Sequence, residues 1–146
     1  MLPNHQTVVR HFAFNFNRTT MPEVTSNPVP GFLETIRNGH SIVFFATLAQ
    51  SQKICALCAL HQIPLVNLLS KDSLRLWQRV HTSKENGVLL VHSLVSTGWY
   101  AYADRVLWVD NPEKPAILAA QDLDQAGQRI RGKTVQPIIF RPEDIK

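Results

Sequence analysis

Short apolar runs recur along the chain, separated by segments with helical spacing or by polar connections. The clearest are SIVFFAT at 41–47, GVLLV at 87–91 and DRVLWV at 104–109. Runs of this length, rich in β-branched residues, are typical of strands buried on both faces, as in parallel sheets. Parallel strands need crossover connections, which are usually helices, so we expect βαβ units. The predicted fold is α/β, a three-layer αβα sandwich with a mostly parallel sheet.

Local signals place the remaining elements around these runs. A strand is predicted over 7–16, where alternate residues are aromatic; this stripe fits a core-covering strand better than a base-stacking platform. Gly39 closes the first predicted helix and Asp72 caps the third. The predicted helices are 32–38, 51–62, 72–81 and 122–131, and the short strands 64–69 and 135–140. A chain of 146 residues is the common size of one domain, so a single domain over 1–146 is expected.

Composition excludes several classes of protein. The chain is 45% hydrophobic and 18% charged, which is unlike a disordered, collagen-like or coiled-coil sequence. No run approaches the ~20 apolar residues that cross a bilayer, and the first residues lack a secretory signal, so we expect a cytoplasmic protein without membrane contact. Fifteen Lys and Arg against eleven Asp and Glu give a net charge of +4, compatible with a polyanionic partner.

One segment, 127–134, matches the phosphate-loop pattern GxxxxGK[ST]. A phosphate loop leaves a strand and opens a helix, so that backbone N–H groups and the helix dipole meet the phosphates. Here a helix is predicted before the pattern and a strand after it. The match is therefore interpreted as accidental, and a small phosphate-loop ATPase is the weakest of three functional hypotheses.

Two other patterns suggest chemistry but fit ordinary packing better. Cys55 and Cys58 fall one turn apart in mid-helix, and no second Cys or His pair completes a zinc site, so no metal site is predicted. His92 and Ser93 are adjacent on an extended segment, where neighbouring side chains point apart, so they are not expected to form a nucleophile and its base.

The segment DQAGQRIRGK places Arg129 and Arg131 next to the final strand, on the predicted last helix. Ligands gather at the carboxyl ends of parallel strands, and we expect the arginines on that side. The guanidinium group suits phosphate oxygens, although cations are also common at helix ends. These residues alone leave both interpretations open.

Taken together, SIVFFAT, GVLLVHSLVSTGWYAYADRVLWVDNP and DLDQAGQRIRGK resemble motifs IV, V and VI of the second RecA-like domain of superfamily 2 helicases and translocases, in order and approximate spacing. The opening VVRHFAFNF is similar to the first strand of that domain. The resemblance covers nearly the whole chain. It implies a RecA-like fold that binds nucleic acid and acts with ATP.

In that family, motif VI arginines stabilise charge on ATP held by the other domain. Arg129 matches the first of these arginines and Gln125 the polar residue that opens the motif, while Arg131 lies one place before the second. The resemblance thus implies catalytic roles for Arg129 and Arg131 and a nucleotide-binding role for Gln125. Gly132 stands where the second arginine is expected, and Gln128 replaces the usual glycine, so the motif is degenerate.

Motifs IV and V hold the phosphate backbone of one nucleic-acid strand in the family. Thr47 matches the polar end of motif IV, and Ser93 and Gly98 match the Thr/Ser and Gly of motif V, whereas Tyr100 replaces an acidic or Asn residue. The predicted nucleic-acid contacts are Thr47, Lys71 and Ser93. Gly98 joins Gln125 in the predicted nucleotide site.

The family's first domain, with its phosphate loop and magnesium-binding acidic pair, has no counterpart in this sequence. We therefore expect no cofactor on the isolated chain, no ATPase activity of its own, and ATP with Mg²⁺ only beside a partner chain that carries a phosphate-loop domain. The principal hypothesis is a stand-alone helicase second-domain-like protein that binds DNA or RNA and completes an ATPase with that partner. The alternative is a degenerate fold, monomeric or homodimeric, that serves as a protein-interaction module.

Overall fold

Strands and helices alternate along the part of the chain that the computed structural model describes, residues 30–111, 113 and 120–146. The predicted strand over 7–16 lies outside these residues. The helices are α1 (Phe32–Ile36), α2 (Leu48–Leu60), α3 (Lys71–Ser83) and α4 (Ala120–Gly127), with a 3₁₀ turn at Pro142–Asp144. The strands are β1 (Gly39–Phe45), β2 (Leu65–Asn67), β3 (Asn86–His92), β4 (Arg105–Val109) and β5 (Ile138–Phe140).

All five strands form one parallel sheet in the order β2-β3-β1-β4-β5. The central strand β1 pairs with β3 from Gly39↔Asn86 to Phe45↔His92 and with β4 from Ser41↔Arg105 to Phe44↔Trp108. The apolar runs thus occupy the middle of the sheet, where both faces are covered. The predicted α/β class is confirmed, and the parallel sheet flanked by helices is consistent with a RecA-like three-layer sandwich.

Alternate residues of the central strands supply two separate cores. Ile42 and Phe44 pack on one face, together with Trp77 of α3 and residues of α4. Val43 packs on the other face, with Ile54 of α2 and residues of α1. All five of these side chains are fully or almost fully buried. The period-two alternation of a strand therefore explains how one apolar run supports a helical layer on each side.

The connection from β3 to β4, residues 93–104, contains no helix and crosses the face covered by α3 and α4. Two indole N–H groups hold it: Trp99 Nε1 donates to Val95 O at 2.8 Å, and Trp77 Nε1 donates to Tyr102 O at 2.9 Å. No helix among the described residues is long and apolar enough to cross a membrane.

Several boundaries differ from the sequence expectation. Helix α4 ends at Gly127, not at residue 131. The backbone at Val135 packs directly against Gly127, since a Cβ on Gly127 would lie 2.1 Å from Val135 O. Helix α3 begins after Ser70, whose N–H donates to Ser73 Oγ at 3.2 Å, so Asp72 lies in the first turn and is not the cap. The two outer strands, β2 and β5, are three residues each, shorter than predicted.

Candidate functional site

Three of the predicted site residues meet at one edge of the sheet. Thr47 follows β1, Ser93 follows β3 and Lys71 lies just beyond β2, and these strands are neighbours in the order β2-β3-β1. Because parallel strands end at the same edge, this edge, here called the carboxyl edge, comprises residues 46–48, 68–71 and 93–95. It is the place where ligands bind in open parallel sheets.

Thr47 caps the N-terminus of α2. Its Oγ1 accepts from Gln50 N–H at 3.2 Å, while Gln50 Oε1 accepts from Ala46 N–H at 2.7 Å. The buried Gln50 also donates through Nε2 to Asp110 O at 3.0 Å, which joins the ends of β1 and β4. The T-x-x-Q spacing of Thr47 and Gln50 is a capping-box signal, so the capping role of Gln50 could have been predicted from the sequence.

Lys71 and Ser93 complete the carboxyl edge. Lys71 is exposed and is the first residue of α3. Ser93 N–H donates to Phe45 O at 2.8 Å, which extends the β1–β3 pairing by one residue and fixes the serine beside the end of β1. The N-termini of α2 and α3 both open at this edge, and helix N-termini favour anions.

Arg129 lies inside the molecule, with only 5% of its surface exposed. Its Nε donates to Gln125 O at 2.9 Å and its Nη1 to Trp99 O at 3.0 Å, and its Cζ lies 5.0 Å from the centre of the Tyr100 ring. The structure thus brings Arg129 against the segment that begins at Gly98, and the predicted residue Gln125 contacts Arg129 through its carbonyl oxygen. Gly98 has φ +91°, a conformation that favours glycine.

Arg131 is exposed, and its Cζ lies 5.8 Å from the centre of the Tyr102 ring. Between the two arginines, Ile130 forms a parallel bridge with Ala101, and both of these residues are buried. The period-two pattern therefore places Tyr100 with Arg129 and Tyr102 with Arg131. These four residues are here called the tyrosine–arginine face.

The arginines do not lie at the carboxyl edge, where they were expected. Both arginines follow the C-terminal end of α4. A helix that connects two parallel strands runs antiparallel to those strands, so the C-terminal end of α4 lies toward the amino ends of the strands. The neighbouring Lys133 shows the same placement, since its Nζ donates to Asp104 O at 3.4 Å, and Asp104 directly precedes β4. The predicted site therefore divides into two regions.

The segment that matches the phosphate-loop pattern lies between a helix and a strand, as predicted. Helix α4 ends at Gly127, the first residue of the pattern, and strand β5 follows it at Ile138. The order helix–loop–strand is the reverse of a phosphate loop, so the segment does not open a helix as a phosphate loop does.

The cysteines are packing residues within α2, as predicted. Cys58 is buried and Cys55 partly buried, and burial, followed by the nearby Cys55, raises the pKa of Cys58 to about 12. Such a thiol stays protonated and is a poor nucleophile. No group of His, Cys, Asp and Glu suited to a metal ion occurs among the described residues. His92 Nδ1 accepts from Leu94 N–H at 3.1 Å, a turn contact and not a partnership with Ser93.

A histidine cluster at the amino end of the sheet was not anticipated. His40 is buried, its ring lies 4.7 Å from that of His81, and its Nδ1 lies 3.9 Å from Asp104 Oδ2. Burial, and then His40, lower the pKa of His81, while Asp104 opposes them. These residues come from three distant parts of the chain, so no local sequence pattern predicts the cluster.

No protein-family model matches this chain, and no curated protein is significantly similar to it. The helicase resemblance accordingly stays a prediction based on the three motifs.

Proposed function

We propose that this chain is a helicase second-domain-like protein that binds nucleic acid through the phosphate backbone at its carboxyl edge. One observation carries the proposal: Thr47, Lys71 and Ser93, chosen from separate stretches of sequence, are placed by three adjacent strands at one edge of the sheet. Together they bring two hydroxyl groups and one ammonium group to the same edge.

The chemistry of this edge suits phosphate oxygens. Two helix N-termini supply partial positive charge, and Lys71 supplies a full charge. The Thr47 hydroxyl accepts one hydrogen bond from Gln50 N–H and keeps its own proton available for donation. The net charge of +4 favours approach to a polyanion. Contacts of this kind position a strand without reading its bases, which supports a sequence-independent role.

The ATP-related part of the proposal concerns Gln125, Gly98, Arg129 and Arg131. Because Arg129 is buried and bonded to two carbonyl oxygens, we propose that it positions the segment at 98–100, and that the exposed Arg131 is the arginine of this motif that is free to contact phosphate groups. The described residues offer neither a phosphate loop nor an acidic cluster for Mg²⁺. ATP binding and its metal are therefore assigned to the partner.

Salt-dependent binding tests the carboxyl edge directly. Fluorescence anisotropy of labelled single-stranded and duplex oligonucleotides, titrated at several salt concentrations, should give binding that weakens as salt rises. Lys71→Gln removes one cation from the edge and should reduce the logarithmic salt slope by about 0.7–0.9. The matched control is Lys84→Gln, an exposed lysine at the other end of α3, which should leave the slope unchanged. Equal slopes for the two variants, or a wild type without salt-dependent binding, would contradict the proposal.

A second candidate, the protein-interaction module, is favoured by apolar side chains at the same edge. Leu48, Leu69 and Leu94 are 72%, 87% and 85% exposed. Clustered exposed apolar residues mark interaction surfaces in many proteins. Sedimentation velocity distinguishes the candidates: a wild type that self-associates, ignores polyanions at low salt and becomes monomeric as Leu94→Ser supports the module.

A further inference from the structure

Two large aromatic side chains are exposed on the otherwise covered face of the sheet. Tyr100 is 55% exposed and Tyr102 is 47% exposed, whereas Ala101 between them is 6% exposed. The bridge from Ala101 to Ile130 holds this segment extended, so both tyrosines project to the same side.

A groove runs between these tyrosines and helix α3. It has a volume of about 210 Å³ and is lined by Leu74, Arg75, Trp77, Gln78, Tyr100, Ala101, Tyr102 and Arg131. Its charged side chains are Arg75 and Arg131, and Gln78 contributes an amide. No carboxylate is among its described lining residues. The neighbouring Asp72 pairs with Arg75 at 3.0 Å on the exposed surface, where such a pair is weak. The groove thus combines aromatic rings with net positive charge.

We infer that this groove binds single-stranded nucleic acid, with an unpaired base stacked on Tyr100 and the adjoining phosphates held by Arg75 and Arg131. Aromatic platforms flanked by cations bind single strands without sequence preference, because every base has a π-face. A duplex keeps its bases stacked inside and cannot use such a platform. The inference rests on the proposed function, and it deepens it by assigning a strand preference to a separate surface.

Tyr100 is the better platform of the two tyrosines. The buried Arg129 lies against its ring and is itself fixed by Gln125 O and Trp99 O, so the ring has a rigid support. Tyr102 already contacts Arg131, and its ring stacks against His81 at 5.7 Å with an interplanar angle of 27°. A base therefore finds more free ring surface on Tyr100.

The experiment compares a fluorescein-labelled oligothymidylate with a labelled duplex of equal length, using the full chain at low salt. Tyr100→Ala should weaken single-strand binding by about 5- to 150-fold, the effect of losing one stacked base, and leave duplex binding at its wild-type level. Tyr100→Phe keeps the ring and should bind like the wild type. Arg131→Gln, an exposed position, should reduce the single-strand salt slope by about 0.7 and tests the groove even if Tyr100→Ala fails to fold.

Single-strand binding by Tyr100→Ala at wild-type strength, or an equal loss for both oligonucleotides, would overturn the inference. If Lys71→Gln lowers the salt slope while the Tyr100 and Arg131 variants do nothing, the groove fails and the carboxyl edge stands. If the groove variants act while Lys71→Gln equals Lys84→Gln, the carboxyl edge fails and the groove stands. A wild type that binds neither oligonucleotide contradicts both.

Discussion

At the carboxyl edge, Thr47 and Lys71 are exposed at the start of helices, whereas on the tyrosine–arginine face Arg129 is buried and bonded to the backbone. The first region presents polar groups to solvent on strand ends that the sheet already fixes. In the second region, the buried Arg129 holds the irregular connection between β3 and β4 in place. The fold thus leaves the predicted nucleic-acid contacts Thr47 and Lys71 exposed and encloses the arginine that was predicted to be catalytic.

This contrast separates binding residues from residues that position a loop. Apart from the helix cap Thr47, substitutions at the carboxyl edge should change affinity for polyanions more than folding, because exposed side chains contribute little to stability. Substitution of Arg129 should do the reverse. The three predictions below test the contrast in order of expected effect.

Arg129→Ala should destabilise the protein most, by about 2–3 kcal/mol, because Gln125 O and Trp99 O lose a charged donor and the Tyr100 ring loses its support. Urea denaturation followed by circular dichroism measures this change. The matched control Arg131→Ala removes an exposed guanidinium and should cost at most about 0.5 kcal/mol. Equal stabilities for the two variants would show that Arg129 is not a positioning residue.

Thr47→Ala should have an intermediate effect of about 1 kcal/mol, the usual contribution of an N-cap hydroxyl. Thr47→Ser retains the hydroxyl and should be close to the wild type in both stability and oligonucleotide binding. The same denaturation and anisotropy measurements apply. A Thr47→Ala variant that loses stability but keeps full affinity would limit Thr47 to capping α2.

The smallest expected effect is a pH dependence at the His81 end of the tyrosine–arginine face. The pKa of His81 lies below its ordinary value of 6.5, chiefly through burial and then through His40, so the unfolded chain binds the proton more readily. Stability should therefore decline as pH falls through and below 6.5. His81→Gln should flatten that decline in pH-dependent melting curves, whereas His61→Gln, an exposed histidine after α2, should not.

The fold was largely predictable because its main signals are local. The apolar runs at 41–47, 87–91 and 104–109 supply β1, β3 and β4, and buried parallel strands imply crossover helices. The end of α4 was not predictable, since it depends on the contact between Gly127 and Val135, which are brought together only by the folded chain. Strand order also required the structure, because pairing between distant segments leaves no local pattern.

The candidate site was predictable only in part. The placement of Thr47, Lys71 and Ser93 at one edge follows from the topology of a parallel sheet. The burial of Arg129 does not, because an arginine in a polar sequence context gives no sign that the distant carbonyl oxygen of Trp99 will accept a hydrogen bond from it inside the molecule. The exposure of Tyr100 was equally hidden, since aromatic residues are more often found in cores.

The brevity of the outer strands has a consequence for how copies of this chain could meet. In the described sheet, the edge strands β2 and β5 are only three residues long, so they offer few backbone groups with which a strand of another molecule could pair. Such short edge strands discourage amyloid-like growth and strand exchange. We therefore expect the described domain to associate with other molecules through side-chain contacts and not through strand addition at the edges of its sheet.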